Sequence, residues 1–449
     1  MMDGTPMPML SRRDAMAGAA ALAAAPTIAS AAQVAPINIV INQSPWFDGF
    51  RKLVDAYVSE TGNKVSLDVN PFDGVLQKAR DSVHAPVGVY DLIPIAAPFV
   101  VEFYIGGFFR PPQEIDPAFR LDPQVFTMND SVYFDAATHT MNAKTGTLMT
   151  VPINPNVPLL FYRTDLYERA GLKVPETFAD LLANAKKLND PPKIYGMVQR
   201  GARGVTEVSY DFFPYFFGFG AEMFRDFNGG DFTVTVNSDK GRAALDYYLT
   251  LEHEAGHPNT GGLGQAQVIQ NVVTGKAAHA MIVIAAWAQM DDPTKSLVAG
   301  KIGYAVPPHA PGFHPGPPLG HFLGGVPRNV PQERQVAAMA FLKWFQSFDA
   351  QMKYMLGGAP PVRGDVLRTD VPNRPDLRWM RPLADALPDA KLQWTVPQGA
   401  ELTAVLDLRL NQAVTGDMTS VAALNTIARE MEAIMRKAGY KTGRLPDLT

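Results

Sequence analysis

Between Ile37 and Ile95 the apolar residues switch back and forth between two periods, and this alternation constrains the fold more than any other feature of the chain. Ile37-Asn38-Ile39-Val40-Ile41 is a short β-branched run, after which Phe47, Phe50, Leu53, Val54, Tyr57 and Val58 recur at helical spacing until Gly62. Val65, Leu67 and Val69 then alternate as in a strand, Val75 to Val83 is again helical, and Tyr90 to Ile95 supplies a third strand. Strands separated by helices pair in parallel, so the opening predicts an α/β sheet. Ligands of such sheets bind beyond the carboxyl ends of the strands, which singles out the loops Ser44-Pro45-Trp46 and Ala96-Ala97-Pro98-Phe99.

A second α/β region is expected after the strand Leu159 to Tyr162. Thr177 should cap a helix through Phe178, Leu181, Leu182, Ala185 and Leu188, and Asn237 or Ser238 should cap another through Leu245, Tyr248 and Leu249. Pro331 and Gly357-Gly358 bracket one long helix carrying Phe341, Trp344, Phe345 and Phe348. The last helix places Val421, Leu424, Ile427, Ala428, Met431 and Ile434 on one face, a stripe to be buried within its own domain.

The chain has 449 residues, 47% hydrophobic and 19% charged, which is ordinary globular composition. With 40 Lys and Arg against 44 Asp and Glu it has no cationic surplus for a phosphate backbone, so nucleic acid is not an expected partner. The lack of cysteine excludes disulfides, thiolate metal sites, cysteine nucleophiles and a lipidated cysteine anchor. Residues 1–31 read as an export signal: Ser11-Arg12-Arg13-Asp14-Ala15-Met16, an alanine-rich apolar stretch, then Ala29-Ser30-Ala31 for cleavage. The paired arginines resemble a twin-arginine signal, although Ala15 stands where a large apolar residue is usual. The mature protein is expected to begin near Ala32 and to reside in the periplasm as a monomer.

Thr147-Leu148-Met149-Thr150-Val151-Pro152, then Leu160 to Leu172, then Pro175-Glu176-Thr177-Phe178, resemble the central signature of family 1 extracellular solute-binding proteins, the receptors of carbohydrate ABC transporters. Gly275-Lys276-Ala277-Ala278-His279-Ala280-Met281, Trp287, Gly300 to Tyr304 and Gly357-Gly358-Ala359-Pro360 agree, and these later segments are closer to monosaccharide, disaccharide and polyol binders than to maltodextrin binders. The resemblance implies a two-lobed periplasmic binding protein fold with discontinuous α/β lobes, 33–160 with 279–328 and 161–278 with 329–449, joined by hinge crossings around a ligand cleft. It implies a non-enzymatic receptor that needs no cofactor and delivers a small carbohydrate or sugar alcohol to inner-membrane ABC permease subunits.

A sugar presents apolar C–H faces rimmed by hydroxyls, so its site requires aromatic plates and side chains that both donate and accept hydrogen bonds. By resemblance, Trp287 is a cleft tryptophan, with core packing as the alternative. Asn154 and Asn156, between Pro152 and Pro158, are polar ligand contacts or turn asparagines. Trp46 and Asp48 sit on the first strand-to-helix loop, where Asp48 alternatively serves the helix dipole. Tyr210 and Asp211 precede a Phe-rich run that reads as core. His321 and Phe322, and Arg363 after Pro360-Pro361, lie on loops that approach the cleft in relatives; Arg363 would matter most for an anionic ligand. Ala97-Pro98-Phe99 stands where relatives often carry an aromatic, which leaves the first lobe's stacking plate unassigned.

One motif points elsewhere. His253-Glu254-Ala255-Gly256-His257 fits H-E-x-x-H, and taken literally it makes a secreted zinc-dependent hydrolase with Glu254 as general base. Gly256 within the motif and Pro258 after it imply a helix that is ending, and Thr260 and Leu263 stand where the extended motif needs Gly and His.

Overall fold

Ile37, Ile39, Val40 and Ile41 are fully buried in the strand Ile37–Asn42, which pairs in parallel with Val65–Asn70. A parallel bridge from Ile39 to Leu92 brings the third strand, Ile93–Ala96, alongside. The structure, a computed structural model, describes Met1 and residues 35–449 apart from Asn228, Gly229, Pro372 and Thr395. The export signal read at residues 1–31 lies outside the described residues.

The sheet that opens in parallel becomes mixed. Phe322–Gly325 inserts antiparallel between Ile93–Ala96 and Val151–Asn154, because the chain re-enters this half from the other one. A second sheet centres on Pro158–Arg163, flanked antiparallel by His279–Val283 and Ile302–Ala305. Both sheets therefore join segments more than a hundred residues apart in sequence.

Local signals place most helices. Phe47–Thr61 buries Phe47, Phe50, Leu53, Val54 and Tyr57, and stops at Gly62, whose φ of 73° is cheap only without a side chain. Thr177 and Asp180 form a reciprocal capping box at the start of Phe178–Leu188, and Ser238 caps Asp239–Ala255. The single long helix expected after Pro331 is two, Gln332–Phe345 and Phe348–Gly357, because Ser347 accepts the N–H of Ala350 and starts a new helix.

Those two helices pack against the first helix of the opening half: Phe341 meets Phe50 and Tyr57 edge-on, and Tyr354 meets Phe50. The second half has its own core, in which Phe212, Phe213, Phe216 and Phe217 meet Leu181, Leu245, Leu406 and the stripe Leu424, Ile427, Ala428 and Met431. The Phe-rich run is thus core, as read from the sequence.

Candidate functional site

A cavity of about 120 Å³ opens between the two halves, at the carboxyl end of the first parallel strands. Its first wall comes from Asn42 to Trp46, Phe72, Pro98 and Phe322, and its second from Arg200, Val205 to Glu207, Tyr210 and Gln265. Asn156, Val283, Gly320 and Gln393 lie where the chain passes from one half to the other.

The first wall is aromatic. Trp46, fully buried at the start of its helix, lies 5.1 Å from the ring of Phe322 and meets Phe50 edge-on at 5.6 Å, and Phe322 meets Phe72 at 6.3 Å. Phe72 thus supplies an aromatic surface to the cavity, whereas Phe99, after the third strand, packs behind it at 6.2 Å. The Trp46 Nε1 and Ser44 Oγ are buried without a protein partner.

The second wall is built around Arg200, 3% exposed. Its guanidinium lies 3.0 Å from Asp211 and 3.5 Å from Glu207, donates to Gln265 Oε1 at 2.8 Å and to the Thr206 carbonyl at 3.1 Å, and covers the Tyr210 ring at 5.2 Å. Burial works against the cation, but Asp211 and Glu207 outweigh it and hold Arg200 firmly protonated. Burial likewise pushes the Asp211 carboxyl up to about 6 against the pull of Arg200. One guanidinium facing two carboxylates leaves no positive charge with which to attract an anion.

The loop leading into Tyr210 is held by Asp407, which accepts the N–H groups of Thr206 at 2.8 Å and Ser209 at 2.9 Å. Thr206 sits at φ 60°, a conformation unusual for a β-branched residue that these bonds help to maintain. The Tyr210 hydroxyl donates to the carbonyls of Asn156 at 3.3 Å and Pro318 at 3.4 Å, tying the second wall to the crossing segments. A Cβ at Gly320 would fall 2.2 Å from that hydroxyl, so glycine is required there.

Of the residues singled out in the sequence, the structure brings Trp46, Asn156, Tyr210 and Phe322 to the cavity, with Asp211 directly behind Arg200. The other five stand apart from its lining. Asp48 is 59% exposed in the first helical turn near Arg51 and Lys295. Asn154 is buried toward Tyr354. Trp287 packs at a tilt against Trp379, ring centroids 5.0 Å apart, which is the packing alternative. His321 lies with its Nε2 2.7 Å from Ser131 Oγ, and burial pushes its pKa down to about 3, so it is neutral. Arg363 commits four of its five N–H donors to Asp122, Asp365 and the Gln346 carbonyl, so its charge is already matched by two carboxylates.

The H-E-x-x-H geometry is broken. The helix ends at Ala255, His257 lies beyond it against the Tyr195 ring at 4.5 Å, its Nδ1 accepts the Asn259 N–H at 3.1 Å, and Glu254 pairs with Lys186. Among the described residues no three His, Cys, Asp or Glu side chains gather as metal ligands. Arg200, Phe72, Gln265 and Gln393 were not anticipated from the sequence. Arg200 ends the run Met197-Val198-Gln199, where a buried charge after an apolar stretch was a usable signal; Gln393 has no such mark.

Two halves closing on an aromatic and amide-lined cavity, served by chain crossings, define a two-lobed α/β solute receptor. The chain belongs to the family of bacterial extracellular solute-binding proteins, whose sequence profile matches residues 42–352. It is 24% identical over 396 residues to the mannitol-binding protein of Pseudomonas aeruginosa, spanning 81% of this chain and 84% of that one. It is 22% identical over 362 residues to the erythritol/L-threitol-binding protein of Mycolicibacterium smegmatis, spanning 74% of this chain and 71% of that one. Its fold matches a solute-binding protein from Agrobacterium radiobacter K84 in complex with ribitol, with TM-score 0.77, 22% identity, and coverage of 89% of this chain and 98% of the other. A solute-binding protein of Agrobacterium vitis S4 with bound D-mannitol matches at TM-score 0.74, 20% identity, and coverage of 90% and 99%. The family is non-enzymatic, and no helix among the described residues is long and apolar enough to cross a membrane.

Proposed function

We propose that this protein is the receptor of an ABC importer for a small, uncharged sugar alcohol or sugar, which it encloses between its lobes and presents to the permease. The observation that carries the reading is the cavity itself. About 120 Å³ bounded by Trp46, Phe72 and Phe322 on one side and by neutralised Arg200 on the other suits a short polyhydroxylated chain better than an oligosaccharide. Residues 35–160, 279–328 and 329–362 form one lobe on this reading, and 161–278 with the remaining C-terminal residues the other. The paired arginines at positions 12 and 13 support export to the periplasm.

Thermal unfolding against D-mannitol, ribitol, erythritol, maltose and the aldonates of the same chain lengths tests this. A ligand at a hundred times its Kd adds about 2.7 kcal/mol, which for a protein of this size raises Tm by about 3 °C. One or more of the neutral polyols should do so, and the aldonates and maltose should not. A shift with aldonates alone, or with no neutral sugar or polyol, refutes the proposal.

A further inference from the structure

Gln393 lines the cavity from the last segment to pass between the halves, and it is 7% exposed with neither its Nε2 nor its Oε1 bonded to protein. The backbone around it is fixed on both sides. Leu319 donates to the Lys391 carbonyl and Lys391 to the Pro317 carbonyl, each at 2.8 Å, while Trp394 packs edge-on against Phe213 in the second core. A buried amide with both ends unbonded is costly unless something that enters the cavity completes it.

We propose that Gln393 is a specificity-determining residue that binds two adjacent hydroxyl groups of the ligand, accepting from one through Oε1 and donating to the other through Nε2. This rests on the polyol reading above and narrows it to molecules carrying a vicinal diol at that end of the cavity. The chemistry discriminates because each hydroxyl both donates and accepts, whereas a carboxylate only accepts and would set an oxygen against Oε1. Arg200 offers such an anion no compensation, since Asp211 and Glu207 already neutralise it. Trp46 Nε1 and Ser44 Oγ, likewise buried and unbonded on the first wall, are placed to receive another part of the ligand.

Titration calorimetry of the full chain with D-mannitol, ribitol and erythritol, repeated for Q393A and for Q393M, which keeps the volume and removes both polar ends, decides the matter. Both variants should bind the polyol that the wild type prefers about ten to a hundred times more weakly, with the unliganded Tm unchanged or higher. The wild type should also discriminate at least tenfold against one monodeoxy form of that polyol, and this penalty should fall below threefold in Q393M, as expected where the missing hydroxyl and the missing amide are the same contact. Q393M at wild-type affinity, or a deoxy penalty undiminished at every position, overturns the assignment while leaving the polyol reading intact. A wild type that binds none of the three polyols, nor any neutral sugar, refutes that reading and this inference with it.

Discussion

Asp407 offers a quantitative test of how the cavity loop is held. It is 1% exposed, and burial, aided by the nearby Glu207 carboxylate, pushes its carboxyl from the usual 3.8 up to about 7, although the N–H donors of Ser209 and Thr206 pull the other way. That rise spans roughly three pH units, and at about 1.36 kcal/mol per unit the ionised carboxylate costs the folded state about 4 kcal/mol relative to the protonated form. The folded state holds the proton more tightly, so the stability from this group is fully present below about pH 4 and is lost as pH rises through about 7. Asp407→Asn removes the titration and keeps one acceptor for the two N–H groups, much as the protonated acid does. Urea unfolding of both proteins at intervals from pH 4 to 8 should show them within about 1 kcal/mol of each other at the acid end, with the variant gaining on the wild type by about 4 kcal/mol at the alkaline end. A difference that does not vary with pH, or that grows in favour of the wild type as pH rises, refutes the argument and means that the two N–H donors dominate burial.

Three further outcomes follow from the geometry. Trp287→Ala should lower stability by about 3–5 kcal/mol through the void left against Trp379, while changing the Kd for the cognate polyol less than threefold; a hundredfold loss would put Trp287 in the ligand site. Gly320→Ala should abolish the calorimetric signal by driving a methyl group into the Tyr210 hydroxyl, and wild-type affinity would contradict the close approach. Treatment with a chelator and Glu254→Gln should each leave Tm within about 1 °C of its starting value, because Glu254 makes only a partly exposed ion pair with Lys186; a drop of several degrees on chelation would revive the metal reading.

What could be read from the sequence was local. The caps at Thr177 and Ser238, the stop at Gly62 and the stripe of the last helix depend on neighbours within a few positions, and spacing reveals them. The two lobes were legible only through the family signature around residues 147–178. The break at Ser347 was missed because the apolar stripe continues across it. The second wall and the crossings were half missed, since Arg200, Gln265 and Gln393 converge from segments that share no pattern, and nothing in the run Lys391-Leu392-Gln393-Trp394 shows that both ends of an amide are left without a partner. Trp287 and Arg363 failed to reach the cavity for the complementary reason: a neighbouring tryptophan and two aspartates, distant or unremarkable in sequence, already occupy them.

The insertion of Phe322–Gly325 between Ile93–Ala96 and Val151–Asn154 also fixes when the protein can fold. The middle strand of that sheet is made long after its neighbours, so during synthesis both of them wait with unpaired edges while the intervening half of the molecule emerges. Any chain ending before residue 322 would carry two open edges and no finished cavity. For this protein, the last third of translation decides whether the first third becomes a lobe.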